Sequence, residues 1–185
     1  MQPSSDTVPD HGQQLVAGIR AVRARYDQLE RGQVAQLRRC RSASDVALEA
    51  TYWRVAGDFS KSSPNLARHM AHVVLLFPYA GHRTKTGFSV GRFLRDQLGD
   101  KAGANLRFRR VLSVESRDEL DHRLRALLRL TAAGGARVDW GVLGRDMLWF
   151  FAESDATRRR WAQDFYAPMT HESSVEPSTD LPPTV

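Results

Sequence analysis

Apolar side chains recur at helical spacing through almost the whole chain between residues 13 and 167. Over residues 13–30 the apolar positions lie three or four residues apart and form one stripe, made by Leu15, Val16, Ile19, Val22, Tyr26 and Leu29. No stretch of useful length alternates apolar and polar residues, as a half-buried β-strand does. The sequence therefore predicts an all-α fold.

Start and stop signals divide the first half of this pattern into four helices. Gly32 separates the helix over 13–30 from a short basic helix over 33–40. Ser63 is a cap residue followed by proline, so a further helix is expected to begin at Pro64 and to continue to about residue 77. Between the helix over 33–40 and the helix that begins at Pro64 we expect one helix. It is capped by Ser44 and Asp45 and carries Leu48, Tyr52, Trp53 and Val55.

Five more helices are predicted after a glycine-bounded loop over residues 78–87. Their expected starts are Ser89, Ala104, Ser116, Asp139 and Asp155, and the expected stops include Gly99, Leu112, Gly134 and Gly135. We predict an N-terminal helical lobe over 13–86 packed on a C-terminal helical bundle over 87–167. Residues 1–12 and 168–185 are rich in Pro, Ser, Thr and Asp and are expected to be disordered tails.

Several classes of protein are disfavoured by the composition. The longest apolar run, residues 73–77, is far shorter than the roughly 18 residues that span a bilayer, so no membrane partner is expected. The N-terminus lacks the charged and apolar regions of a signal peptide, which predicts a cytoplasmic protein. Cys40 is the one cysteine, and this excludes an internal disulfide and a thiolate zinc site.

The positive charge of the chain is carried almost entirely by arginine. Among 27 basic residues only three are lysines, and the formal net charge is +6. Guanidinium groups match phosphate oxygens with a planar fork of donors, whereas lysine offers a point charge. The arginines also cluster, in four groups: Arg38, Arg39 and Arg41; Arg92 and Arg95; Arg107, Arg109 and Arg110; and Arg158, Arg159 and Arg160. This pattern predicts a polyanionic partner. The arginines are expected to contact the partner's backbone without reading its base sequence.

Four patterns that suggest catalysis or metal binding have simpler explanations. Residues 87–91 spell G-x-S-x-G, but no strand precedes Ser89, so we interpret the serine as a helix cap. His69 and His72 lie three residues apart on a helix, and no carboxylate at helical spacing completes a metal site. Residues 81–87 lack the order of a phosphate-binding loop, and Asp146 with Glu153 are interpreted as charged flanks of a buried face. We therefore predict no enzyme, no cofactor and no metal.

The order of the motifs resembles a known family. Gln36-Leu37-Arg38-Arg39, Thr51-Tyr52-Trp53-Arg54, residues 87–94, Arg107-Phe108-Arg109-Arg110, Val138-Asp139-Trp140 and residues 161–166 occur in the order seen in the CasB family, the small subunit of the type I-E CRISPR surveillance complex Cascade. The resemblance covers roughly residues 15–167 and implies an all-helical protein present in two copies, without catalytic activity.

The resemblance also implies the partners and the binding residues. Such subunits lie along the repeated backbone subunits that hold the guide RNA, and they stabilise the opened DNA, both the target strand and the displaced non-target strand. Base pairing reads the sequence there, so the protein needs only backbone-directed cations. The expected partners are the guide RNA, the target DNA, the backbone and large subunits, and a second copy of the chain. The residues expected to contact nucleic acid are Arg38, Arg39, Arg92, Arg107, Arg110, Arg158 and Arg159.

Two other functions fit a basic, all-α chain. A stand-alone DNA-binding regulator would need a recognition helix with base-reading side chains, and no segment separates as a helix-turn-helix. A purely structural protein would dock partners through an aromatic surface made by Trp140, Trp149 and Trp161, and its arginines would only confer solubility.

Overall fold

The computed structural model describes residues 11–61, 63–83, 88–99, 103–132 and 135–167. Its α-helices are α1 (His11–Tyr26), α2 (Arg31–Arg39), α3 (Ala43–Leu48), α4 (Ala50–Ser60), α5 (Pro64–Leu76), α6 (Val90–Leu98), α7 (Ala104–Leu112), α8 (Arg117–Ala132), α9 (Trp140–Trp149) and α10 (Ala156–Tyr166). The prediction of an all-α fold is confirmed. None of these helices is long and apolar enough to cross a membrane.

The predicted termini and loop lie partly outside these residues. Helix α1 begins at His11, so the last two residues of the predicted N-terminal tail are helical. The rest of that tail, the C-terminal tail over 168–185, part of the loop over 78–87 and the predicted helix stop at Gly134 lie outside the described residues. The division into two helical units at residue 86 stays a prediction.

The expected single helix over Leu48 to Val55 is two helices. The chain is extended at Glu49, which ends α3 and precedes α4. The cap of α3 is Ser42 and not Ser44, because the Ser42 hydroxyl accepts from the amide of Asp45 at 3.1 Å. The Asp45 carboxylate accepts in return from the amide of Ser42 at 3.0 Å, which completes a capping box earlier in the chain than expected.

Local signals placed several other helix boundaries correctly. Ser89 caps α6, since its hydroxyl accepts from the amide of Arg92, and Gly99 ends that helix with a positive φ of 52°. Helix α7 has the expected bounds. The Asp139 carboxylate caps α9 by accepting from the amides of Gly141 and Val142 at 3.1 and 3.2 Å. These caps satisfy amides that have no partner inside their own helices.

The core is one apolar cluster that includes side chains from both predicted helical units. Helix α5 lies at its centre, and every residue from His69 to Leu76 is buried. Helix α1 packs along α9, and the ring of Phe77 bridges them with its centroid 5.2 Å from Tyr26 and 5.0 Å from Trp140. Buried Arg23 donates to the carbonyls of Phe77 and Ala80, both at 3.0 Å, so it fixes the end of α5 against α1.

A second tight contact joins α6 to α10. A Cβ atom at Gly91 would lie 2.1 Å from the carbonyl oxygen of Trp161, so only glycine allows this approach. The rings of Phe108 and Phe165 stack next to it with centroids 3.8 Å apart, which ties α7 to the same pair. Helices α6, α7 and α10 therefore form one packed unit.

A short parallel pair links the two halves of the chain outside the helices. Strand β1 (Gly81–His82) pairs with β2 (Arg137–Val138), with Gly81 opposite Arg137. Two residues are too few for an alternating pattern, so no sequence signal could have predicted this pair.

Candidate nucleic-acid interface

Arg38, the first arginine of its group, lies beside Tyr79 in the turn after α5. Arg38 donates to the carbonyl of Pro78 at 3.3 Å, and the Tyr79 hydroxyl donates to the Arg38 carbonyl at 3.4 Å. Arg38 and Arg39 are both exposed at the end of α2. The expected pair of adjacent, solvent-facing guanidinium groups is therefore present, with Arg38 held at the turn.

Two arginines that sequence reasoning missed complete this group. From α8, Arg129 lies over the Tyr79 ring with its guanidinium carbon 4.8 Å from the centroid, and it donates to the hydroxyl at 3.2 Å. Arg125 lies 5.7 Å from the same centroid and donates to the carbonyl of Arg41 at 3.0 Å. Their four-residue spacing puts them on one helix face, but only the fold shows that this face meets Tyr79 and the segment after α2. We call Arg38, Arg39, Arg41, Arg125 and Arg129 the Tyr79 cluster.

The fold also brings acidic residues to this cluster. Arg39 and Arg41 border a cleft of about 280 Å³ whose lining includes Asp45 and Glu49. Asp45 lies on α3 and Glu49 is the extended residue between α3 and α4, so both carboxylates come from the chain that follows the arginines. The two carboxylates reduce the positive charge of the cluster, whereas Arg125 and Arg129 add positive charge to it.

The second and third arginine groups belong to the packed unit of α6, α7 and α10. Arg92 is exposed in the first turn of α6, and its guanidinium makes no hydrogen bond or ion pair with the residues that the structure describes. Arg110 is likewise exposed on α7, whereas exposed Arg107 is engaged within the chain. Arg95 donates to the carbonyl of Ala167 at 2.9 Å and so joins α6 to the end of α10. Arg92 and Arg110 thus have the exposure that phosphate contact requires.

Helix α10 places its three consecutive arginines in different surroundings. Arg158 donates to the carbonyl of Val114 at 3.0 Å and lies 4.9 Å from the centroid of Phe150, so its guanidinium holds α10 against the core. Arg159 donates to the carbonyl of Ser154 one turn earlier. Arg160 donates to buried Asp146 at 2.7 Å. Arg159 and Arg160 are exposed and Arg158 is half-buried, but Arg158 and Arg160 are held by partners inside the chain.

Replacing Arg158 is expected to lower stability, which separates it from the exposed arginines. Arg158→Ala removes a bond to a carbonyl and a cation–π contact, so we expect the free energy of unfolding to fall by about 1–2 kcal/mol. Arg110→Ala should stay within about 0.5 kcal/mol of the unchanged protein. Urea denaturation of both variants measures this, and equal stabilities would contradict the assigned role of Arg158.

The patterns that suggested chemistry have structural explanations. Ser89 donates to Asp164 on α10 besides capping α6, and Gly87 lies outside the described residues. Asp146 is 2% exposed and also accepts from Arg145 at 2.9 Å and from the Trp161 indole at 2.8 Å, while Glu153 is exposed. Ser89 and Asp146 therefore join neighbouring helices, and Asp146 is buried and not the charged flank expected from the sequence.

The surroundings of the two histidines correct the sequence argument. The sequence argument considered only carboxylates at helical spacing from the histidines, whereas α8 brings Asp118 and Asp121 to His72. His72 Nδ1 and Asp121 Oδ2 share a buried hydrogen bond of 2.6 Å, and burial raises the pKa of Asp121. His69 Nε2 lies 2.9 Å from the Gly144 carbonyl, and burial lowers the pKa of His69 to about 4. His69 is therefore held neutral between α5 and α9.

The proposed aromatic docking surface does not exist in the expected form. Trp140 and Trp161 are 0% exposed, and only Trp149 of those three is open to solvent, at 56%. Their spacing in the sequence gave no information about which helix face each one occupies. The interpretation of the three tryptophans as one docking surface is wrong.

Fold and surface together define a helical protein whose exposed positive charge is mostly guanidinium. The family model of CRISPR-associated protein Cse2 matches residues 33–166, and the chain belongs to this family. No curated protein matches it significantly. The Cse2 family, also called CasB, is the small subunit of type I-E Cascade and is structural. The prediction that the chain is not an enzyme is confirmed by this membership.

Two solved structures share the fold. One is a chain in the crystal structure of Escherichia coli Cascade bound to a PAM-containing double-stranded DNA target, with 23% identity, a TM-score of 0.62, and coverage of 80% of this chain and 91% of that chain. The other is a CRISPR-associated protein of the Cse2 family from Thermus thermophilus, with 18% identity, a TM-score of 0.63, and coverage of 85% of this chain and 99% of that chain. The family model and these similarities agree on one fold.

Proposed function

We propose that this chain, as the non-catalytic small subunit of a type I-E surveillance complex, stabilises the opened target DNA through arginine contacts to phosphate. The observation that carries this proposal is the exposure of Arg38, Arg39, Arg92, Arg110 and Arg159 on a chain of the Cse2 family. Sequence-independent binding fits these residues, because guanidinium groups recognise phosphate geometry and base pairing with the guide supplies specificity.

The proposal includes a division of labour among the arginines. The Tyr79 cluster and the exposed arginines of α6 and α7, which are Arg92, Arg107 and Arg110, are the two candidate contact regions for the target strand and the displaced strand. Arg158 supports the second region by fixing α10 and takes no direct part. Two copies of the chain would extend the basic surface along the backbone subunits that hold the guide RNA, with the large subunit as a further partner.

Removing Arg38 and Arg39 tests the first region. We expect the double alanine variant to assemble normally but to bind target DNA more weakly. The plot of log affinity against log salt concentration should become shallower. Its slope should decrease in magnitude by about 1 to 2, because up to two phosphate contacts are lost. The double lysine variant should recover the slope and only part of the affinity, since lysine keeps the charge without the fork.

The matched control is Arg123→Ala, because the Arg123 guanidinium is already engaged by Glu119 at 3.3 Å on the same helix. Its DNA binding should equal that of the unchanged complex. An identical salt slope for the Arg38 and Arg39 double variant in the assembled complex would remove these two residues from the interface.

A further inference from the structure

Trp53 on α4 is an exposed aromatic residue to which the proposed function assigns no role. Its side chain is half exposed, at 50%, although tryptophan is mostly buried in folded proteins. It forms a wall shared by two clefts, one of about 540 Å³ and one of about 350 Å³. Both volumes lie within the range of binding sites for small organic groups.

The indole is fixed in orientation. Its Nε1 donates to the carbonyl of Ala47 on α3 at 2.9 Å, and its ring meets Tyr52 edge-on with centroids 5.1 Å apart. A ring that is already held in place loses little rotational freedom when another flat group stacks on it. Trp53 is therefore a preformed aromatic platform.

Positive charge surrounds this platform on both sides. The smaller cleft is lined by Arg25, Arg54 and Lys61 besides Trp53 and Gly57, and Arg25 reaches from α1 to donate to the Val55 carbonyl at 3.1 Å. The larger cleft adds two arginines and one carboxylate, contributed by Arg68, Arg117 and Asp118. An anionic ligand with a flat apolar part suits this combination of charge and aromatic surface.

We propose that Trp53 stacks with an unpaired base of single-stranded nucleic acid, while Arg25, Arg54 and Lys61 hold phosphates of the same strand. Stacking needs an exposed base face, which paired bases inside a duplex do not offer, so the site selects single strands. The inference rests on the proposed function, because opening the target DNA supplies an unpaired displaced strand. It extends that function from phosphate contact to base stacking at a third surface, formed by α1 and α4.

The test measures binding of the full chain to a labelled thymidine oligonucleotide of about 12 residues and to a duplex of the same length, by fluorescence anisotropy. Trp53→Ala should reduce single-strand affinity about 5- to 100-fold and leave duplex affinity unchanged. Trp53→Phe should keep most of the affinity, because phenylalanine also stacks. Trp149→Ala, which removes another exposed indole, should match the unchanged protein.

A steric variant tests the same site without removing any group. A Cβ at Gly57 would have no atom within 4 Å, and Gly57 lines the smaller cleft, so Gly57→Leu is expected to occupy that cleft. It should weaken single-strand binding as Trp53→Ala does. This variant also keeps the inference testable if Trp53→Ala does not fold.

The inference is overturned by no single-strand binding of the unchanged chain, by equal single-strand affinity of Trp53→Ala and Trp149→Ala, or by equal loss of affinity for single strand and duplex. If Trp53→Ala instead fails to join the surveillance complex while its single-strand affinity is unchanged, Trp53 is a protein contact and the stacking assignment is wrong. If the Trp53→Ala chain joins the complex and the complex still binds target DNA, the proposed function stands. Failure of the stacking inference is therefore distinguishable from failure of the proposed function.

Discussion

Gly91→Ala should lower the free energy of unfolding by at least about 2 kcal/mol, because the added methyl group has no room between α6 and α10. Its Cβ would lie 2.1 Å from the Trp161 carbonyl oxygen and 3.0 Å from the Phe165 amide nitrogen. Both are backbone atoms, so no side-chain rotation relieves the overlap and the helices must separate. Separation weakens the Phe108 and Phe165 stack, which adds to the loss.

Gly57→Ala is the matched control for this substitution. Gly57 is also a helical glycine, but its site is open, and alanine there should raise stability by about 0.5–1 kcal/mol through helix propensity. Urea denaturation should show that the free energy of unfolding falls for Gly91→Ala and rises for Gly57→Ala, because only Gly91 lies in the close contact between α6 and α10. A stabilised Gly91→Ala protein would contradict the described contact.

Acidification should destabilise the protein through His69. Its pKa is about 4 in the folded protein, because burial disfavours the charged ring and Arg117 lies beside it, whereas an unfolded histidine titrates near 6.5. Its contribution to stability is therefore fully present above pH 6.5 and is lost as the pH falls from 6.5 through 4. The difference between the two pKa values corresponds to about 3 kcal/mol.

The contribution of His69 is isolated by comparing unfolding free energies of the unchanged protein and His69→Gln across this pH range. The difference between them should shrink by about 3 kcal/mol between pH 7 and pH 4, since carboxylates titrate in both proteins and cancel. His122→Gln, at an exposed position, serves as the control and should track the unchanged protein. A constant difference for His69→Gln would show that the ring is not held neutral.

Features decided by neighbouring residues were predictable from the sequence. Ser89, Asp139 and the bounds of α7 follow from cap chemistry and from helical periodicity, both of which act within one or two turns. The error at Ser44 has the same origin, because Ser42 and Ser44 both offer a capping hydroxyl and only Ser42 has Asp45 three residues ahead. The family resemblance was likewise visible, since it depends on the order of short motifs.

Features decided by packing were not predictable. Arg158 and Arg159 are adjacent in the sequence, yet only Arg158 meets the Phe150 ring, because that contact depends on how α10 lies on the core. Arg125 and Arg129 join the Tyr79 cluster because α8 packs beside the turn that carries Tyr79 and the segment that follows α2. Burial of Trp140 and exposure of Trp149 follow from which face of α9 meets α1. In each case the deciding contact depends on how the helices pack against one another and not on the local sequence.

Co-expression with the other Cascade subunits and a guide RNA tests the central claim most directly. Target-DNA binding by the purified complex is measured with and without this chain over a range of salt concentrations. We predict that the chain co-purifies in two copies and that its presence gives tighter DNA capture with a steeper salt dependence. A chain that does not co-purify, or a complex whose DNA binding and salt slope are the same without it, would contradict the account.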